Sequence, residues 1–521
     1  MQKRNLLIII LFLFTGTIGW SAERIRQNFD FDWQFRLGEQ GIYKPVQLPH
    51  DWSIELDFNE EVGPESGYLP GGIGYYKKDF NVPASYKGKR VSIVFDGIYH
   101  KATIYLNGQE VDYHRYGYTS FETDLTPYLK YGGKNTLSVK VDHSEKSRWY
   151  TGSGIYRHVW MQVTNPIHVK MWGTYITTPR VSAESAIVSC VTTVANTSAL
   201  TGEIEIMQRI VDAQGNLLKI NGKQYAARTE VVMPENGTKD IAQSFTLSNP
   251  QLWNLEKPYL YRLETILKQK GKVIDRYTTR FGVRTIGFDK DKGFFLNGKN
   301  IKMKGACLHQ DAGCLGVAVP NRSYERRLTI LKEFGANAIR CSHNPPSPEF
   351  LNYCDSIGFL VVDEAFDKWK SGYYEQFFDE CWQQDIRDMI VRDRNHPSIV
   401  LWSIGNELAE ATRKDNVGVE RATLLRDFVH KLEPTRPTML ALAPAYQDKF
   451  ASVTDVVGYN YSELSYIEDK KKHPERIGLI SESYPYYSGL RPYEARDYSP
   501  KNPWNYVMEN DYFCGSFVWA G

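Results

Sequence analysis

The chain has no excess of charge of either sign. Its 63 lysines and arginines stand against 61 aspartates and glutamates, a formal net charge of +2 over 521 residues. So close a balance argues against nucleic acid or an anionic membrane surface as a partner. Cysteine is scarce, odd in number and scattered: seven residues, at 190, 307, 314, 341, 354, 381 and 514, with no CxxC pair. That argues against structural zinc and against a disulfide framework, and leaves mostly buried thiols. The apolar run at the N-terminus, residues 6–14, is too short for an ordinary membrane helix. It follows Lys3 and Arg4 and precedes Gly16, Gly19, Ser21 and Ala22, the layout of a secretory signal. Residues 1–21 are therefore expected to be a signal peptide, and the mature chain to be secreted or periplasmic without inserting into a membrane.

Aromatics are plentiful, with 34 Tyr, 24 Phe and 12 Trp. They suit sugar-stacking surfaces and β-sandwich cores equally well. At this length about three domains are expected. Helical periodicity is absent from residues 22–165, where short strands (74–80, 90–95, 102–106, 136–141) are broken by Gly and Pro turns. Asn107-Gly108 between apolar runs is a hairpin signal, and the segment reads as a jelly-roll β-sandwich. Residues 166–283 carry further strands near 186–194, 203–211 and 259–268. They fit an immunoglobulin-like β-sandwich that lacks the Cys…Trp…Cys arrangement of antibody domains.

Beyond Arg284 strands alternate with helices. A helix over 323–334 places Tyr324, Leu328, Leu331 and Phe334 on one face and stops at Gly335. The next begins at Ser347-Pro348-Glu349, an N-cap followed by proline, and ends at Gly358. Eight strands are expected, at 303–309, 338–342, 360–363, 399–404, 438–442, 456–461, 477–481 and 513–519. With helical crossovers they make a (β/α)8 TIM barrel over residues 284–521. The sequence stops directly after strand eight, so the barrel reads as lacking its last helix and the chain as C-terminally truncated. An apolar edge around Phe517 and Trp519 is expected to make such a piece aggregation-prone and weakly active.

The stretch LWSIGNE (residues 401–407) is a buried strand that delivers Asn406 and Glu407 at its tip. Glu482 closes strand seven in the same way. Both lie at the barrel face where active sites form. Two carboxyls across a barrel mouth are the equipment of glycoside hydrolysis: one donates a proton to the leaving oxygen, the other attacks or activates water. Glu407 could equally be a helix cap, and Asp311, Asp363 and Glu364 are further acids on strand ends.

The chain resembles glycoside hydrolase family two, the β-galactosidases and β-glucuronidases, from about residue 25 to 521. The resemblance rests on LPHDW (48–52), TGSGIYRHVW (151–160), FGVRTIGF (281–288), NGKNIKMKGACLHQD (297–311) and AIRCSHNPPSP (338–348). It continues through VVDEAFD (361–367), RDRNHPSIVLWSIGNE (392–407) and ISES (480–483). It implies a retaining mechanism with Glu407 as acid/base and Glu482 as nucleophile, about 5–5.5 Å apart. It implies that Arg340 holds Glu482, unless it is a structural barrel ion pair, and that Asn406, His309, Asp311 and His343 bind sugar hydroxyls. Tyr459 and Tyr461 end strand six and could bond the nucleophile, with at least one of them expected to pack instead. Trp519 would be an aromatic floor, whereas Trp402 reads as barrel core. Some β-galactosidases bind magnesium shortly after DEA on strand three; here those positions are Lys368 and Lys370, so no metal and no cofactor is expected. The favoured reading is a retaining exo-β-glycosidase acting on oligosaccharides or glycosides, a β-galactosidase. β-Glucuronidase or β-mannosidase are alternatives, and a non-catalytic carbohydrate-binding protein is a remoter one. A homo-oligomer is left open.

Overall fold

The structure is a computed structural model that describes residues 23–145, 147–220, 223–484 and 502–520. The expected signal peptide lies outside the described residues. The first unit is two antiparallel sheets. One has the order Ile25–Asn28, Val159–Thr164, Arg90–Phe95, Phe121–Asp124. The other runs Lys44–Val46, Trp33–Leu37, Gly72–Val82, Gly133–His143, Ala102–Leu106, Gln109–His114. Along Gly133–His143 every second residue from Asn135 onward is buried. That period of two is what one covered sheet face demands. Asn107 and Gly108 both take positive φ, 53° and 84°, closing the hairpin read from sequence.

The second sandwich packs Ile167–Val181, Ser185–Asn196 and Gly237–Ser248 against a four-stranded sheet. That sheet comprises Ala227–Met233, Gly202–Val211, Tyr261–Gln269 and Lys272–Phe281.

Eight parallel strands then close into a barrel: β1 Met303–Leu308, β2 Ala338–Cys341, β3 Leu360–Glu364, β4 Ile399–Asn406, β5 Thr438–Leu442, β6 Val456–Asn460, β7 Gly478–Ser483 and β8 Phe513–Val518. All eight residues of β4 are buried, as are all five of β3, β5 and β6. Parallel strands covered on both faces read as continuous apolar runs rather than alternations. Helices α1 Asn321–Glu333, α2 Pro348–Ile357, α3 Phe378–Asp393, α4 Val417–Leu432, α5 Asp448–Ala451, α6 Glu463–Lys472 and α7 Pro503–Glu509 form the outer layer. Helix α2 is capped as expected, with the Ser347 hydroxyl accepting from Phe350 N–H at 3.2 Å and Gly358 left-handed at φ 86°.

Two expectations are corrected. Phe334 is not on the buried face of α1; it follows the last helical residue and is 85% exposed. Phe517 is not on an apolar edge, because its ring is fully buried against Gly305 of β1 inside the barrel.

The first sandwich is fastened to the barrel mouth by the motifs singled out above. Asp51 of LPHDW accepts from Ser153 N–H at 2.9 Å and from Val317 N–H in the β1–α1 loop at 3.0 Å. Arg157 of TGSGIYRHVW donates to the carbonyls of Tyr118 at 2.8 Å and Pro345 at 2.9 Å. The Tyr116 hydroxyl donates to the Ala365 carbonyl just beyond β3 at 2.5 Å. Loops of the first sandwich therefore set the positions of the loops after β1, β2 and β3.

Candidate active site

Strand β4 ends in a turn that ordinary residues avoid. Glu407 has φ 44°, in the left-handed region, while its N–H donates to Ala441 O of β5 at 2.8 Å. A non-glycine residue there is strained and is held by its surroundings. The turn carries the carboxylate toward β6, where Glu407 Oε1 accepts from Asn460 Nδ2 at 3.2 Å. Arg148 Nη2 of the first sandwich lies 3.9 Å from the other oxygen, and the side chain stays 25% exposed.

Glu482 near the end of β7 meets different chemistry. Arg340 Nη1 donates to its Oε1 at 2.7 Å and to the Ser481 carbonyl at 3.2 Å. Tyr461 donates its N–H to the Glu482 carbonyl at 2.7 Å, and its phenol lies beside the carboxylate. Burial and then the Glu482 charge push that phenol far up, with Glu407 contributing from the other side. One phenol therefore senses both carboxylates. Tyr461 too is left-handed, at φ 53°.

Arg340 has a fully buried guanidinium spread over several acceptors. Its Nη2 reaches Glu364 Oε1 and Oε2 at 3.0 and 2.8 Å and Asn406 Oδ1 at 2.9 Å. A buried cation between two carboxylates keeps its proton: burial opposes the charge, and Glu364 and Glu482 outweigh it. His343 Nδ1 also bonds Glu364, at 2.6 Å, and its Nε2 sits 3.8 Å from Glu482 Oε1. Burial first, then the Arg340 charge, pushes its imidazole well below the ordinary range, so it is neutral.

The aromatic floor takes shape around that ring. Trp519 stacks on His343 with centroids 5.3 Å apart and planes 10° from parallel. His309 stacks on Trp149 of the first sandwich at 5.0 Å, stands edge-on to Trp519, and binds the Ser342 carbonyl through Nδ1 at 2.7 Å.

Glu407, Glu482, Arg340, Asn406, His343, Tyr461, His309 and Trp519 are thus brought together. Asp311 is not joined to them by a hydrogen bond; its carboxylate accepts from Gly313 N–H at 3.0 Å in the next turn. Tyr459 is a correction. Its hydroxyl points outward to Asp469 of α6 at 3.0 Å and its ring stacks on Tyr466, so it cannot bond Glu482. Alternation along β6 turns its neighbour Asn460 inward instead. Asn406 spends all four hydrogen-bonding positions on protein groups: Arg340 and Asn460 on Oδ1, Asp367 and His343 on Nδ2. Trp402 is core as expected, its indole N–H donating to Glu433 at 3.0 Å.

Several site residues escaped the sequence reading. Asn460 bridges Glu407 and Asn406, and its Oδ1 accepts from Ser481 Oγ at 2.6 Å. The period of two along β6 could have found it. Glu364, read from sequence only as a further strand-end acid, anchors Arg340 from strand three. Arg148 and Trp149 come from about 160 residues or more upstream of the barrel residues they meet, and nothing local marks them. After β3, Lys368 Nζ donates to Asp367 Oδ1 at 3.1 Å and to the Asn406 carbonyl at 2.8 Å, while Lys370 pairs with Asp379 at 2.6 Å. Ammonium groups supply no lone pair to a cation, so these positions do not fit the magnesium that the resemblance brings to mind.

Paired carboxylates on separate staves of a closed barrel, above an aromatic floor, place the chain among the barrel glycoside hydrolases. Three family models match it in order: Glycosyl hydrolases family 2, sugar binding domain, over residues 31–166; Glycosyl hydrolases family 2 over 167–284; and Glycosyl hydrolases family 2, TIM barrel domain, over 289–482. The chain belongs to glycosyl hydrolases family 2. It is 37% identical to the β-galactosidase BoGH2A of Bacteroides ovatus, over 96% of this chain and 68% of that one. A solved family 2 member from Bacteroides cellulosilyticus superposes with a TM-score of 0.87 at 38% identity, covering 95% of this chain and 64% of that one. Another solved relative is Bacteroides uniformis β-glucuronidase 2 covalently bound to cyclophellitol-6-carboxylate aziridine. It gives a TM-score of 0.82 at 26% identity, over 96% of this chain and 65% of that one. The chain therefore spans about two-thirds of the length of these relatives.

Proposed function

We propose that the protein is a retaining exo-β-glycosidase that removes terminal β-linked sugars, β-D-galactosides first among them. The observation that carries this reading is the asymmetry between the two glutamates. Glu482 receives a guanidinium at 2.7 Å and has the Tyr461 phenol beside it, donors that hold its carboxylate in place. Glu407 receives a neutral amide at 3.2 Å and keeps a quarter of its side chain open. The first is dressed as a nucleophile and the second as a proton carrier.

In the reaction, Glu482 attacks the anomeric carbon while Glu407 protonates the departing glycosidic oxygen. The glycosyl group is then held on Glu482 as an ester. Glu407, now ionised, takes a proton from water as that water attacks the same carbon, and Glu482 leaves. Arg340 and Tyr461 hold the nucleophile before and after. Asn406 can serve a sugar hydroxyl by yielding its longest bond, the 3.4 Å contact to His343. Trp519 and His343 supply an apolar platform for the ring. The covalent complex of the Bacteroides uniformis relative supports a covalent step, and the Bacteroides ovatus relative supports galactose as the sugar.

A second reading, β-glucuronidase, is favoured by the two cations beside the pair. Arg148 and Lys368 line a cavity of about 160 Å³ together with His343 and Asp367, and a uronate carboxylate would suit them. A panel of aryl β-glycosides decides. Hydrolysis of the galactoside is expected; hydrolysis of the glucuronide alone overturns the galactosidase reading, and hydrolysis of none overturns the enzyme. Secretion or periplasmic export remains part of the proposal, on the strength of the N-terminal charge and apolar run.

A further inference from the structure

On the barrel face opposite the carboxylates, the second sandwich meets the entry to β4 and β5 around a cavity of about 270 Å³. Three of its lining residues are arginines, Arg284, Arg394 and Arg436, and none is acidic. Arg436 is provided for: Nη1 pairs with Glu433 at 3.1 Å, Nε donates to the Ile399 carbonyl at 2.8 Å and Nη2 to the His396 carbonyl at 3.0 Å. The other two are not. Arg284 gives Nε to the Pro397 carbonyl and Nη2 to the Ile399 carbonyl at 2.7 Å. Arg394 stacks on Tyr175 at 4.6 Å and reaches the Trp172 carbonyl at 3.5 Å, but its buried Nε has no partner. Among the described residues neither guanidinium has a carboxylate within 4.0 Å. Glu433 acts on both from further away, joined by Asp355 at Arg284 and by Asp240 at Arg394.

Two such cations lose hydration without recovering it from acids. Burial pushes Arg284 down to about 9, and the neighbouring Arg436 charge adds to the shift. Polar neighbours do not relieve this, because Asn395 is committed to the backbone: its Nδ2 donates to Thr174 O at 2.7 Å and its Oδ1 accepts from Ile176 N–H at 2.9 Å. What the cavity lacks is negative charge with several acceptor oxygens, and it has room for it.

We propose that this cavity is a binding site for a small tetrahedral oxyanion, inorganic phosphate or sulfate, held by Arg284 and Arg394. Guanidinium N–H donors match such an ion in charge, and among the described residues Arg284 Nη1 and Arg394 Nε are not given to carbonyls. The ion would tie the strand Ile167–Val181 to the floor of the barrel, where Arg284 and Arg436 already hold the carbonyls that precede and open β4. Its role is to brace the junction between sandwich and barrel, far from the chemistry.

The test is calorimetric titration of the full chain with inorganic phosphate, in chloride buffer at constant ionic strength, alongside thermal unfolding. One saturable site is expected, with Tm climbing logarithmically above its dissociation constant. Arg394→Gln is expected to weaken binding by at least about tenfold. No saturable binding, or equal affinity in the variant, overturns the proposal. So does an unsaturating rise in Tm shared by both proteins, which is the general salting effect of such ions. Should the variant fail to fold, crystals of the unmodified chain soaked in selenate give a second reading. An anomalous peak within hydrogen-bonding distance of Arg284 and Arg394 supports the site, and its absence overturns it.

Discussion

Around Glu482 the nearest donors are a fully buried guanidinium and a phenol; around Glu407 they are an amide and a half-exposed arginine. The proposed role of each glutamate follows from its donors, and so does the way each should fail. On the proposed roles, Glu407→Ala removes the proton carrier but leaves the nucleophile. Turnover of an aryl glycoside with a good leaving group should fall at the second step and recover when azide attacks the glycosyl ester in place of water. Absence of azide rescue in steady-state assays would count against the assignment. Asn460 bridges Glu407 and Asn406, so Asn460→Ala should lower kcat by about 10²-fold or more, with KM changing less. An effect on KM alone would make it a binding residue only. This asparagine also marks the limit of the sequence reading at this scale. Tyr459 and Tyr461 were both candidate partners of the nucleophile with at least one expected to pack, and alternation sends Tyr459 out to Asp469. Tyr461 comes back only because its left-handed backbone breaks the alternation, and no pattern in the residues announces that.

At the scale of elements, the strands were legible because parallel barrel strands are buried on both sides. The apolar run from Ile399 to Trp402 and the Gly and Pro stops around the helices carry that information locally. Phe334 misled because helical spacing continued one residue past the helix itself. What holds one element to another was less legible. Glu433, after α4, accepts from the Trp402 indole of β4 at 3.0 Å and from the Tyr175 hydroxyl of the second sandwich at 2.8 Å, and pairs with Arg436. Burial alone would raise its carboxyl, but Arg436 and the donors Thr435, Trp402 and Tyr175 outweigh burial and hold it at about 2, below the ordinary 4.5. A depressed carboxyl contributes its stability above the unfolded value and loses it as pH falls through the folded one. Glu433→Gln should therefore cost about 3 kcal/mol near neutral pH, since it strands a buried arginine. The gap between the two proteins in denaturant unfolding should persist above about pH 5 and close toward pH 2. A gap that stays constant down to pH 2 would show that the charge of Glu433 is not what holds the junction.

For the whole molecule, the order of two sandwiches and a barrel was readable from the change of grammar after Arg284, but the assembly of the site was not. Arg148 and Trp149 reach it from the first sandwich, and the motifs LPHDW and TGSGIYRHVW turn out to be fasteners: Asp51 grips the β1–α1 loop and Arg157 the loop after β2. Contacts between residues some 200 positions apart leave no local trace in a single sequence. The central claim is that these parts together present Glu482 to the anomeric carbon and Glu407 to the leaving oxygen. It is tested most directly by trapping the intermediate with a 2-deoxy-2-fluoro-β-galactosyl donor bearing a good leaving group, then mapping the adduct by peptide mass spectrometry. The account predicts one glycosyl group per chain, on the peptide containing Glu482 and on that residue. An adduct on any other carboxylate, or hydrolysis of the donor with no adduct accumulating at all, would contradict it.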